Sequence, residues 1–195
     1  MDMAYEVQDL VNRLKWDGAA LSSEEVDWVA CRLLNSPSSL EVSNGLYILA
    51  IEKAFRHRAV MDEFLFSKNV VFVERALSMV WRYWKDYDRY RQFTLELIKG
   101  VVWDEVERVR ATAITVVGGY LRESVDVELV CEIFQAYLAS DSRLVQVAAY
   151  RVLSSLLSIS PEELEGPPRK PIVRPEVVDR IEEFVKSLKN GDDVL

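Results

Sequence analysis

Val109-Arg110-Ala111-Thr112-Ala113-Ile114-Thr115-Val116-Val117-Gly118 falls onto Val145-Gln146-Val147-Ala148-Ala149-Tyr150-Arg151-Val152-Leu153-Ser154 when the chain is shifted by 36 residues. Small, large apolar and polar side chains then occupy corresponding places. A shift of 37 brings residues 72–77 and Met79-Val80 onto the same pattern, with Ala76 meeting Ala113. Gly45-Leu46 and Ile48-Leu49 echo it more weakly. A repeat of this length built from two helices cannot bury its apolar faces alone, so successive pairs must stack on one another.

Outward from this core the helical period continues. Val7, Leu10, Val11 and Leu14 share one face of a helix predicted over residues 3–16, with Gly18 as its stop. Ser22 with Glu25, and Ser38 with Glu41, have capping-box spacing, and Pro37 is expected in the first turn of the third helix. Apolar residues then recur through Phe55, Met61, Phe64, Val73, Leu77 and Val80, with a break at Phe66-Ser67-Lys68-Asn69. Val70-Val71-Phe72-Val73 is β-branched enough to suit a strand locally. Later stripes are Val106, Val109, Ala113, Val116, Val117, Tyr120; then Val130, Ile133, Phe134, Tyr137; then Val145, Ala148, Ala149, Val152, Leu153, Leu156. After Ser160 the run Pro161-Glu162-Glu163-Leu164-Glu165-Gly166-Pro167-Pro168-Arg169-Lys170-Pro171 reads as an extended linker, since proline removes donors and holds its predecessor out of the helical region. It serves as a spacer or as an extended recognition segment. Pro175 opens a last helix carrying Val178, Ile181, Val185 and Leu188.

Residues 104–118 combine an acidic turn at Asp104, then Val109-Arg110, then small and aliphatic residues ending in Gly118. In this the chain resembles the HEAT and armadillo-like helical repeat families over roughly residues 36–160, although Gln146 and Val73 stand where those families favour Arg. The resemblance implies an all-α fold: a short right-handed solenoid of about four to five antiparallel helix pairs over residues 1–160. A Pro-rich linker over 161–174 and a capping helix over 175–195 complete it, and that helix either seals the apolar end of the solenoid or mediates a dimer.

Composition narrows the function classes. Half of the 195 residues are hydrophobic and 29% are charged, an ordinary globular mixture. Cys31 and Cys131 are the only cysteines, too few for a disulfide framework or a structural zinc site, which points to a reducing, cytoplasmic setting. Residues 1–6 lack a basic region followed by an apolar run, and no uninterrupted apolar stretch of about 18 residues occurs, so no membrane span is expected. The net charge is −8, unevenly laid: residues 1–66 hold 6 basic and 11 acidic side chains, residues 67–122 hold 10 and 7, and residues 123–195 hold 8 and 14. An acidic chain has little general affinity for nucleic acid, because displacing counterions from phosphates needs clustered Lys and Arg.

Trp81-Arg82-Tyr83-Trp84-Lys85-Asp86-Tyr87-Asp88-Arg89-Tyr90-Arg91 is the most unusual segment, interleaving aromatic and basic side chains. Such residues dominate binding hot spots, so Trp81, Arg82, Trp84, Lys85, Tyr87, Arg89, Tyr90 and Arg91 are the candidate partner-binding residues. The competing account is that the aromatics pin one helix to the next while Asp86 or Asp88 caps the helix that follows. His57, the only histidine, has no Cys or His companion for a metal site and reads as a solvated cap residue. Gly118-Gly119 follows no strand and reads as close helix contact rather than a phosphate loop. The pairs Glu24-Glu25, Glu162-Glu163 and Glu182-Glu183 read as helix-start charges, since neighbours on a helix point about 100° apart.

No catalytic, cofactor or metal constellation stands out, and the expectation is a non-enzymatic module holding a protein partner on the concave solenoid face. The acidity suits a basic partner, as for an immunity protein that neutralises a basic toxin. An adaptor or scaffold fits equally. The alternative is a helical-repeat nucleic-acid binder or an enzyme similar to DNA-repair glycosylases, with Arg82, Lys85, Arg89 and Arg91 lining a groove. Its cofactor set would be empty as well.

Overall fold

The structure, a computed structural model, describes residues 6–35, 37–159 and 174–191. Among them there are ten α-helices and no strand: α1 (Val7–Asn12), α2 (Ser23–Leu33), α3 (Ser39–Ile51), α4 (Arg58–Leu65), α5 (Val70–Met79), α6 (Tyr87–Lys99), α7 (Arg108–Glu123), α8 (Val127–Ala139), α9 (Arg143–Leu156) and α10 (Pro175–Asn190). The expected linker at 161–171 lies outside the described residues. No helix among those described is long and apolar enough to cross a membrane. The chain divides into two compact units, Met1–Tyr87 and Asp88–Leu195, and the division falls inside the aromatic-basic segment.

In the first unit α2 pairs with α3 and α4 with α5, while α1 lies on α3 and α3 on α5. Lys15, just past α1, sits 4.8 Å from the Tyr47 ring of α3. Trp84, just past α5, donates to the Leu49 carbonyl of α3. Helix ends therefore meet helix ends, and α1, α3 and α5 run side by side in one direction. Both expected capping boxes form, with Ser22 accepting from the Glu25 amide and Ser38 from that of Glu41. Pro37 lies just outside α3 rather than in its first turn, because Ser38 takes the cap. Residues 70–73 are helical, not extended; the Asn69 side chain accepts from the amides of Val71 and Phe72 and outweighs β-branching. Phe55 falls outside the predicted stripe, in a 3₁₀ turn (Phe55–His57) before α4. α1 and α5 each end in a π turn, Arg13–Asp17 and Val80–Trp84, closed by Gly18 and Lys85 in the left-handed conformation.

In the second unit α7 lies on α9, α8 on α9, and α10 against α8 and α9. A Cβ on Gly118 would stand 2.8 Å from Val152 Cγ2, so the two backbones approach where only glycine fits. Gly119, in contrast, has nothing within 4 Å of such a Cβ. Asp104, buried, accepts from the amides of Arg108 and Arg110 at the start of α7. Arg110 pairs with Glu107 and donates to the Ile98 carbonyl. Glu107 also accepts from the Ser140 hydroxyl, and Gln146 donates to the Ser140 carbonyl, so a neutral version of the same turn precedes α9. Val106 is 61% exposed and lies before α7, whose buried stripe is Val109, Ala113, Ile114, Val117, Gly118 and Leu121. On α10 the buried set is Val177, Ile181, Phe184 and Val185, rotated from the predicted one so that Val178 and Leu188 are only half-buried.

The quoted repeat reappears as a buried signature. Gly45-Leu46, Leu49-Ala50; Ala76-Leu77, Val80-Trp81; Ala113-Ile114, Val117-Gly118; and Ala149-Tyr150, Leu153-Ser154 are all buried, on α3, on α5 with its π turn, on α7 and on α9. The small residue admits the neighbouring helix, and each buried aliphatic contributes about 1.5–3 kcal/mol.

Candidate functional site

The π turn after α5 turns the aromatics of segment 81–91 inward. Trp81 is 3% exposed, its ring 5.1 Å from that of Tyr87; Trp84 is 5% exposed, hydrogen-bonded to Leu49 O and tilted against Phe55 at 5.2 Å. In the second unit Tyr90 is 1% exposed, with Arg89 lying over its ring. Arg91 Nε and Nη2 grip the Asp126 carboxylate at 2.6 and 2.9 Å, and Nη2 reaches Glu128 at 2.7 Å. This double pairing raises the Arg91 pKa and lowers that of Asp126, the Arg91 bond being the chief cause for the latter. Asp86 accepts from Arg58 within the first unit. Trp81, Trp84, Tyr90 and Arg91 therefore hold helices in place, Tyr87 is half-buried, and the exposed members of the set are Arg82, Lys85 and Arg89. Trp84 and Tyr90 cannot meet a partner without local unfolding, which is how the interhelix account of this segment differs from the hot-spot account.

His57 holds the N-cap position of α4, but its ring caps nothing there and is half-buried against α2. Its Nε2 lies 2.6 Å from Asp27 Oδ1, with Arg56 Nε on the same oxygen at 2.8 Å, and these contacts hold the residues before α4 to α2. The bonds from His57 and then Arg56 lower the Asp27 pKa. Glu25 belongs to its capping box and pairs with Arg13; burial pushes its pKa up, but the Ser22 and Arg13 bonds outweigh that and leave it lowered. No group of three or more potential metal ligands clusters among the described residues.

Two surface features escaped sequence reasoning. Across the first unit Lys15, Tyr47 and Tyr83 form a ladder over α1, α3 and the π turn after α5, with Tyr47 and Tyr83 edge-to-face at 6.0 Å. Asn44 donates to Gln8 between α3 and α1. Burial, and then Tyr83, raise the Tyr47 pKa. In the second unit Thr115 and Arg122 are exposed and Gly119 half-buried on α7, and Arg151 and Ser155 are half-buried on α9, the helix packed against it. The repeat register contained the signal, since the shift of 36 superposes Thr115 on Arg151 and Gly119 on Ser155.

No protein-family model matches the chain, and no curated protein or solved structure matches it significantly. What the geometry defines is a class: an all-α protein of paired helices whose alternate members lie on one another.

Proposed function

We propose that the chain is a non-enzymatic interaction module, a short right-handed α-solenoid of the HEAT type that holds a protein partner on its concave face, to which the exposed basic side chains of segment 81–91 contribute. The observation that carries this reading is the signature repeated on α3, α5, α7 and α9, which buries one side of each helix and leaves tyrosine, arginine and amide side chains such as Tyr47, Asn44, Arg75 and Arg122 on the other. Tyrosine and arginine are the side chains that binding surfaces enrich. The net charge of −8 would speed encounter with a basic partner, as in an immunity protein facing a basic toxin. The cytoplasm suits the two free cysteines. The pairing of Arg91 to two carboxylates removes one of the four basic groups that a nucleic-acid groove would need, so the protein-partner reading is preferred.

The test is affinity capture from a nuclease-treated lysate of the source cells, with Arg82→Glu, Lys85→Glu and Arg89→Glu combined in one variant. A stoichiometric protein retained by the natural chain and lost with the variant, at unchanged helicity and melting, supports the module and segment 81–91 together. Retention by the variant moves the surface elsewhere on the module. Recovery of nucleic acid alone overturns the reading.

A further inference from the structure

Arg56-His57-Arg58 fastens one short stretch of the first unit in two directions. Arg56 Nε and His57 Nε2 reach back to Asp27 Oδ1 of α2 at 2.8 and 2.6 Å, and Arg56 Nη2 donates to the Ser23 carbonyl at 3.1 Å. Arg58 Nη2 reaches forward to Asp86 Oδ2 at 2.8 Å. Between the buried Ala54 and the buried Val60 no side chain is buried, so these polar bonds and one aromatic contact, rather than core packing, place residues 55–58. That contact is Phe55 against Trp84, ring centroids 5.2 Å apart, with the Arg58 guanidinium 5.7 Å from the Phe55 ring. Phe55 is exposed and Trp84 buried, so the phenyl ring is the outer layer and the indole the inner one. Trp81, the other buried tryptophan of segment 81–91, lies against Tyr87 instead.

The bonds that close this stretch are of a kind that gives way. Asp27 and Arg56 are 53% and 49% exposed, and the Arg58–Asp86 pair is only partly buried. Ion pairs so open to water contribute little and are screened by salt. Arg58 Nε is buried with no hydrogen-bond partner, a desolvation cost that the closed position bears and an open one sheds. We propose that residues 55–58 are a strap, held shut by the Asp27 and Asp86 ion pairs, whose release bares Trp84 to a protein partner. Segments with few buried apolar contacts open at a small fraction of the free energy of unfolding. Beyond the strap α4 keeps Val60, Met61, Phe64 and Leu65 in the core, so release moves the strap and not the helix. Tryptophan is among the side chains that anchor partners, and Trp84 would join the exposed Arg82 and Lys85 of its own segment. The use of the bared ring rests on the interaction-module reading; the strap itself does not.

The strap is tested on the full chain labelled with 5-fluorotryptophan, in which Trp81→Phe and Trp84→Phe identify two of the five tryptophan signals. The readout is the difference in fluorine shift between H2O and D2O, which grows with contact between ring and solvent. Arg56→Gln, His57→Gln and Arg58→Gln combined should about double that difference at Trp84 and leave it unchanged at Trp81. Salt at roughly 1 M, where the Debye length is about 3 Å, should move the natural chain the same way. Amide exchange over residues 55–58 should quicken about tenfold while that of α3 and α5 holds. An unaltered Trp84 signal in the folded variant overturns the strap, as does a salt response shared by Trp81 and Trp84, which is general loosening. The salt arm needs no substitution and decides by itself should the variant unfold. A strap that releases in a chain that captures no partner removes the module reading alone, so the two failures are told apart.

Discussion

Neighbouring residues of one type have opposite duties here. Gly118 meets Val152 at a distance no Cβ tolerates, and Val152 is stiff at χ1, whereas Gly119 faces open space. Alanine at 119 should stabilise the protein by about 0.5–1 kcal/mol, because glycine in a helix loses more entropy. At 118 the same change should cost about 1 kcal/mol or more net, since overpacking typically costs 1–3 kcal/mol. Urea unfolding of the two single variants checks both signs, and equal effects would refute the close approach of α7 and α9. Lys53 and Ser158 hold φ of 49° and 55° where α3 and α9 end, each followed by a buried Ala54 or Ile159 whose amide reaches back to Leu49 O or Ser154 O. Glycine at either position should add about 0.5–1 kcal/mol, because it removes the left-handed strain that a side chain imposes.

At the scale of elements, helix starts carry the acid sensitivity. Glu41 closes the capping box of α3, and its bonds from Ser38 and then Arg32 lower its pKa to about 2. The Asp126 side chain caps α8 while gripping Arg91, and its pKa is lowered too. A carboxylate with a depressed folded pKa contributes stability that is present above its unfolded pKa of about 3.9–4.3 and is lost as pH falls through the folded value. Thermal melts should hold near neutral pH and decline from about pH 4.5 toward pH 2. Glu41→Gln and Asp126→Asn should each flatten part of that decline while lowering the plateau above it. An unchanged slope in both would show that the caps do not carry it.

For the whole molecule, α10 is the closing element of its unit. Val177, Ile181, Phe184 and Val185 are buried in helix contact with α8 and α9, so they are already used within the chain and do not form a free dimer face. Removing residues 161–195 should expose the partners of those side chains on α8 and α9. The expected outcome is oligomers or aggregates by size-exclusion chromatography with light scattering, because exposed apolar patches associate. A truncated chain that stays monomeric with an unchanged melt would contradict the closing role.

The sequence by itself determined the helical class, the two capping boxes, the break before Asn69 and the repeat on residues 109–118 and 145–154, because periodicity, caps and small-residue spacing are local and survive in one dimension. Its stripes on α7 and α10 were displaced at Val106, Val178 and Leu188, since which side of a helix is buried depends on neighbours that the period alone does not locate. Only the tertiary structure decided what segment 81–91 does. The π turn at Val80–Trp84 sends Trp81 and Trp84 inward, and Asp126, distant in sequence, claims Arg91. The same holds for Gly118: in the sequence it is one of two adjacent glycines, and only the fold sets it against Val152, where α7 and α9 close on each other.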